Sequence, residues 1–178
     1  DDHLSALEIV ALLTETMAKG GNLLLNIGPK ADGTVPEIQS RVLRESGAWV
    51  RAHADVIHGS SPHAEWGDAT TRFTVGADGS LFAIDLTNAY ERSFAGLGDV
   101  TAVEGAVEWT ERADGLHVRR DPNVPPELAT VYRIDAADRG AGGPIVVGPE
   151  SDGALIARLL AAAAPGDVGA VPSGVKGG

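Results

Sequence analysis

The stretch Gly20-Gly21-Asn22-Leu23-Leu24-Leu25-Asn26-Ile27-Gly28-Pro29-Lys30-Ala31-Asp32-Gly33-Thr34 constrains the fold more than any other part of the chain. Its centre, Leu23 to Ile27, is a short apolar run closed by glycine on both sides. A bounded run of that length reads as a strand buried on both faces. Such a strand needs neighbouring strands as well as covering helices. Helical patterns flank it directly, and the sheet it would join is not visible in the few residues before it. We therefore expect the end of a larger domain.

Ser5 and Glu8 form a capping-box pair, with Leu4 and Ile9 placed for a hydrophobic staple. Ile9, Val10, Leu12, Leu13 and Met17 then recur at helical spacing until Gly20-Gly21, which predicts a helix over Ser5 to Lys19. After the strand, Gly28 to Gly33 is a loop of turn formers. Thr34 and Glu37 suggest a second capping box, with Pro36 in the first turn, where its missing N–H costs nothing. Ile38, Val42, Trp49 and Val50 continue a helical stripe to about Ala54. Helix, buried strand, loop and helix make the repeating unit of an α/β sheet or barrel.

The pattern changes at Asp55 to Pro62. Thr70 to Val75 alternates, Gly76-Ala77-Asp78-Gly79 turns, and Leu81 to Leu86 returns, which predicts a hairpin. Val100 to Val103, Val107 to Thr110, Leu116 to Val118 and Thr130 to Ile134 are further strand candidates. Strands at this spacing, with no helix among them, predict a small antiparallel sandwich. Beyond Ile134 the chain turns Gly, Ala and Asp rich. Ile145 to Val147 reads as a stray edge strand, Ala154 to Ala164 as a weak helix, and Pro165 to Gly178 as a disordered tail.

Net charge is −11. An acidic surface repels phosphate backbones and anionic lipid, which argues against nucleic acid or a membrane surface as partner. A neutral or cationic small substrate stays open. Cysteine is absent, so there is neither a disulfide framework nor a thiolate metal site. No stretch approaches the roughly 20 apolar residues of a membrane span. The chain opens at Asp1 in mid-pattern, and its one Met, Met17, falls inside a helix. We expect that this is not the native start, and the sequence does not place the compartment; a secreted or periplasmic location stays open.

Gly28 to Gly33 supplies half of a phosphate loop, but Thr34 and Val35 stand where Lys and Ser/Thr are needed, which favours a plain tight turn. His53, His58 and His63 recur every fifth residue, a spacing that does not place ligands on one helix face, so no metal or other cofactor is expected. Glycoside hydrolysis needs two carboxylates roughly 5 to 10 Å apart. Asp32, Glu65, Asp68, Asp85, Glu104, Glu108 and Glu111 are available, and spacing alone does not pair them. Asp32 precedes Gly33, where Asp-Gly is turn chemistry. Asn26 is polar within the apolar run, at the strand's C-terminal end. That is the active-site end of a barrel strand; equally, its amide would satisfy a buried backbone group. Trp66, Phe73 and Phe82 read as sandwich core before they read as a sugar platform.

The run Gly21 to Pro36 resembles the last barrel strand and following loop of α-L-fucosidases of glycoside hydrolase family 29. The resemblance continues through Leu43-Arg44-Glu45-Ser46-Gly47-Ala48-Trp49-Val50 and Val56-Ile57-His58-Gly59-Ser60-Ser61-Pro62, departing from the family pattern at His53, Ala54, Asp55 and His58. Beyond Pro62 it is a likeness of pattern to the family's C-terminal β-sandwich.

The resemblance implies a retaining exo-glycosidase that removes terminal α-L-fucose from glycoconjugates. An Asp nucleophile would form a glycosyl-enzyme and a second carboxylic acid would protonate the leaving oxygen. In the family both come from strands before this motif, so no residue of this chain is assigned a catalytic role, and Asn26 is the one substrate-binding candidate. The fold class expected is α/β plus all-β: the last helix-strand-helix piece of a (β/α)8 barrel over 1–58, a small antiparallel β-sandwich over 59–135, and a Gly/Ala-rich, largely disordered extension over 136–178. The partner expected is a fucosylated glycan. The competing reading is a non-catalytic carbohydrate-binding or structural sandwich.

Overall fold

The computed structural model describes residues 3–137 and 145–148. Helices α1 (Ala6–Ala18), α2 (Glu37–Ala52) and α3 (Ala54–Gly59) come first. Strands β1 (Ser60–Gly67), β2 (Thr71–Gly76), β3 (Leu81–Asp85), β4 (Glu91–Ala95), β5 (Val100–Glu104), β6 (Glu108–Arg112), β7 (Gly115–Arg119), β8 (Thr130–Ala136) and β9 (Val146–Gly148) follow. They form two sheets of order β1-β2-β3-β8-β5 and β6-β7-β4-β9, paired antiparallel throughout.

Helix α1 starts as its sequence dictates. The Ser5 N–H donates to Glu8 Oε2 at 2.6 Å and the Glu8 N–H to Ser5 Oγ at 3.2 Å. It stops where Gly20 takes φ +75 and donates to the Met17 carbonyl at 2.9 Å. Helix α2 starts differently from the expected capping box. Pro36 is its N-cap and no side chain caps it. The Thr34 hydroxyl is already committed, donating to Asp32 Oδ1 at 2.7 Å.

The central strands of the larger sheet, β2, β3 and β8, are covered on both faces, and alternation along them sorts their side chains. Phe73, Ala83, Tyr132 and Ile134 point to the smaller sheet, where Phe94, Leu116 and Val118 meet them. Phe94 stands edge-on to both Phe73 and Tyr132, with centroids 6.1 Å apart in each pair. Phe82 and Ile84 point the other way, into a second core with Val10, Ala11, Trp49 and Val56 of the helices. The result is three layers, helices on sheet on sheet. Trp49 Nε1 donates to the Ala129 carbonyl at 2.8 Å and fastens α2 to the segment entering β8.

Three ionisable side chains, Arg72, Asp85 and Arg92, lie inside. Arg72 reaches from β2 to Glu15 Oε2 on α1 at 3.2 Å. Between the sheets, Arg92 of β4 lies 3.6 Å from Asp85 of β3 and donates to Thr70 Oγ1 at 2.8 Å and Thr71 Oγ1 at 2.9 Å. Burial pushes the Asp85 carboxyl up, against the pull of Arg92.

The structure corrects the strand expected at Leu23 to Ile27. The segment is extended but joins no ladder, with Leu24 86% and Ile27 45% exposed. A strand exists only by pairing, and both sheets of the described residues lie elsewhere. Leu23 and Leu25 are half-buried, and Leu25 packs against the small cluster of Ala6, Ile9 and Val42. Two further differences concern Asp55 to Pro62, which holds α3 and the start of β1, and β4, which had no counterpart in the expected strands. The edge strand near Ile145 is present as β9, paired to β4. The helix expected over 154–164 and the tail over 165–178 lie outside the described residues.

Candidate functional site

The loop after the extended segment is held by its own side chains. Asp32 Oδ1 accepts from the Thr34 N–H at 2.9 Å and from the Thr34 hydroxyl, and the Gly33 N–H donates to the Lys30 carbonyl at 2.9 Å. Those Thr34 bonds hold the Asp32 carboxyl below its usual range. Asp32 is therefore a turn residue, and Gly28 to Gly33 a tight turn with Gly33 at φ +83. From α2, Gln39 Oε1 accepts the Gly28 N–H at 3.0 Å and ties the loop to the helix.

Asn26 lies on the rim of a hollow of about 230 Å³ lined also by Leu25, Ile27, Gln39 and Val42. It is exposed, and its side chain makes no hydrogen bond among the described residues. An amide satisfying a buried backbone group is thus not what this structure contains. Its side chain is open to a ligand or to further protein.

The remaining candidates go to separate places. His53 Nε2 sits 2.7 Å from Glu127 Oε2. His58 is exposed, and His63 Nδ1 contacts the Glu65 backbone. Among the described residues no three His, Asp or Glu side chains gather where they would hold a metal ion. The carboxylates are equally dispersed. Asp68 caps Thr70 and Thr71, Asp85 is buried beside Arg92, Glu104 pairs with Arg133, Glu108 with Arg119, and Glu111 accepts the Val100 N–H. Glu65 is exposed on β1. Apart from Glu65, each of these carboxylates is engaged by a partner that holds the fold. Phe73 and Phe82 are core residues on opposite faces of one sheet. The Trp66 ring has Lys19 Nζ 4.1 Å from its centroid.

Sequence reasoning missed a cavity of about 410 Å³, where the end of α2 meets two sandwich loops. His53, Val107, Arg120, Val124, Pro125 and Glu127 are among its lining residues. The one advance signal was the run Asp121-Pro122-Asn123-Val124-Pro125-Pro126, whose three prolines mark a stiff connection.

These observations define a class: a helix-covered antiparallel β-sandwich carrying an exposed extended segment. Comparison with known proteins supplies the family. A family model described as alpha-L-fucosidase matches residues 1–55. Over 70 residues the chain is 39% identical to the plasma alpha-L-fucosidase of Rattus norvegicus, covering 39% of this chain and 15% of that protein. Over 131 residues it is 30% identical to the tissue alpha-L-fucosidase of Homo sapiens, covering 67% of this chain and 28% of that protein. Among solved structures, alpha-L-fucosidase isoenzyme 1 from Paenibacillus thiaminolyticus superposes with a TM-score of 0.62 at 31% identity, over 77% of this chain and 36% of that one. The Thermotoga maritima alpha-fucosidase in complex with fucose gives 0.55 at 26% identity, over 74% and 34%.

The chain belongs to the α-L-fucosidase family and corresponds to the C-terminal portion of such a protein. It spans 15% of the length of the plasma enzymes it matches. No helix among the described residues is long and apolar enough to cross a membrane.

Proposed function

We propose that this chain is part of a retaining exo-glycosidase that hydrolyses terminal α-L-fucose from fucosylated glycans. The observation that carries the reading is the 1–55 match to the family, which takes in Asn26 and the loop after it. In this reading residues 1–58 are the last helix-strand-helix piece of a (β/α)8 barrel, 59–135 the β-sandwich that braces it, and 136–178 an extension. Leu23 to Ile27 becomes a true strand when neighbouring barrel strands pair with it, which accounts for Leu24 being apolar and 86% exposed here.

The catalytic carboxylates are then supplied by other strands of the longer protein. Asn26 sits at the strand end that faces the substrate in a barrel, where its amide both donates to and accepts from sugar hydroxyls. Among the described residues Asp32, Asp68, Asp85, Glu104, Glu108 and Glu111 are each engaged in bonds that hold the fold, which supports that division of labour. No metal or cofactor enters the reaction, because two carboxyl groups suffice for glycosyl transfer to and from the enzyme.

The test is hydrolysis of an aryl α-L-fucoside. The 178-residue chain should release no aryl alcohol, while the longer protein that contains it should do so with retention at the anomeric carbon. In that longer protein Asn26→Ala should lower kcat/KM without altering thermal stability. Activity in the isolated chain would overturn the assignment of the carboxylates, and inactivity of the longer protein would overturn the fucosidase reading.

A further inference from the structure

We propose that the 410 Å³ cavity between α2 and the sandwich is a second saccharide site, taking a neutral pyranose unit of a glycan. This deepens the glycosidase reading and rests on it for the class of ligand. The cavity is nonetheless separate from the Asn26 hollow, with which it shares no lining residue.

Its walls are built, not incidental. The Val107 loop is drawn onto β8 at Gly105, where any Cβ would stand 2.2 Å from the Val131 carbonyl oxygen. The opposite loop is fixed from within by Arg120, whose Nε donates to the Asn88 carbonyl at 3.1 Å and whose Nη1 donates to the Val124 carbonyl at 3.1 Å. Asn88 Nδ2 in turn donates to the Glu127 carbonyl at 2.6 Å. At the back, His53 packs on Trp49 and meets Glu127 Oε2 at 2.7 Å. With Pro125 and Pro126 stiffening the rim, little ordering entropy remains to oppose binding.

What these bonds leave over describes the ligand. Among the described residues Arg120 Nη2, Glu127 Oε1 and Asp121 Oδ2 make no hydrogen bond, so both donors and acceptors remain on the residues that line the cavity. Val107 and Val124 stand 61% and 53% exposed on the same cavity, offering an aliphatic surface. Two carboxylates beside one guanidinium disfavour an anion. A neutral ring with an apolar C–H face and hydroxyls that both donate and accept satisfies both surfaces. The volume falls within the roughly 300–1,000 Å³ of small-molecule clefts.

The test is an NMR titration of the ¹⁵N-labelled 178-residue chain with methyl β-D-galactoside, N-acetyl-D-glucosamine and methyl α-L-fucoside, and with glycerol as a polyol control. Saturable shifts confined to 105–107, 120–127 and His53 with at least one glycoside, and none with glycerol, are expected. Val107→Ser with Val124→Ser changes exposed side chains only and should weaken that binding about tenfold. Glu127→Gln keeps an acceptor toward His53 and should weaken it less. Absence of shifts at these residues with all three sugars overturns the proposal, as do shifts that glycerol reproduces or that the double variant leaves unchanged. Each of those outcomes leaves aryl fucoside hydrolysis by the longer protein untouched, so the two readings fail separately.

Discussion

Trp49 and Ala129 lie 80 residues apart in the chain and are joined by a buried hydrogen bond of 2.8 Å. The indole closes the helix layer onto the larger sheet, beside Phe82 and Ile84. Two parts of the sequence with different periodicities therefore share one core. Trp49→Phe keeps most of the packing but strands the Ala129 carbonyl, and should cost about 1–3 kcal/mol. Trp49→Ala adds a cavity and should cost about 3–5 kcal/mol. Urea unfolding followed by far-UV circular dichroism measures both. Equal losses for the two variants would mean that the hydrogen bond, not the packing, carries the junction.

The Arg92–Asp85 pair sits between the sheets, where water does not screen it. Arg92→Met removes the cation and leaves a carboxylate in the sandwich core, which should cost about 3–5 kcal/mol. Adding Asp85→Asn to that variant removes the orphan charge and should recover much of the loss. Asp85 is already raised by burial, so without Arg92 it rises further. A raised carboxyl favours the folded state at low pH and loses that contribution as pH climbs through its folded value. The Arg92→Met variant should accordingly weaken from acid toward neutral pH more steeply than the parent, and a flat difference between them would refute this.

Asp78 behaves oppositely. Its Oδ1 accepts from the Ser80 hydroxyl at 2.6 Å and from the Ser80 N–H at 3.0 Å, while its other oxygen meets Arg133. These bonds, with Ser80 foremost, hold its pKa at about 2 against the ordinary 3.8. A depressed carboxyl stabilises the fold above its unfolded value and loses that contribution as pH falls through the folded one. The loss falls between about pH 4 and 2. Asp78→Asn should flatten the stability profile in that window and leave the variant less stable than the parent at neutral pH, with the two converging in acid. Urea unfolding across the acid range measures both, and a neutral-pH stability equal to the parent's would refute the account.

The legibility of these features in the sequence follows from how local their causes are. The Ser5–Glu8 cap, the Gly76 to Gly79 turn and the alternation of β2 and β3 are set within a few residues, and each is found where the pattern placed it. Strand β4 was illegible because Glu91, Arg92 and Ser93 break any apolar rhythm; Arg92 points inward only because Asp85 waits on another strand. The second capping box failed because Asp32 competes for the Thr34 hydroxyl at shorter range. The large cavity was invisible for a related reason. His53, Val107 and Glu127 converge only once α2 and the β5–β6 and β7–β8 connections are placed.

Leu24 offers a test of the barrel context proposed for this segment. Here it is 86% exposed and packs on nothing, so Leu24→Asp in the 178-residue chain should change stability by less than about 0.5 kcal/mol. In a barrel the same side chain is enclosed by a neighbouring strand and helix. There the substitution would bury an unpaired carboxylate in place of a leucine, and the longer protein should lose several kcal/mol or fail to fold. Thermal unfolding of both proteins, each with and without the change, makes the comparison. A large loss only in the longer protein fits a strand completed by its neighbours. Equal tolerance in both would show that Leu23 to Ile27 stays outside any sheet, and the barrel assignment of residues 1–58 would fall.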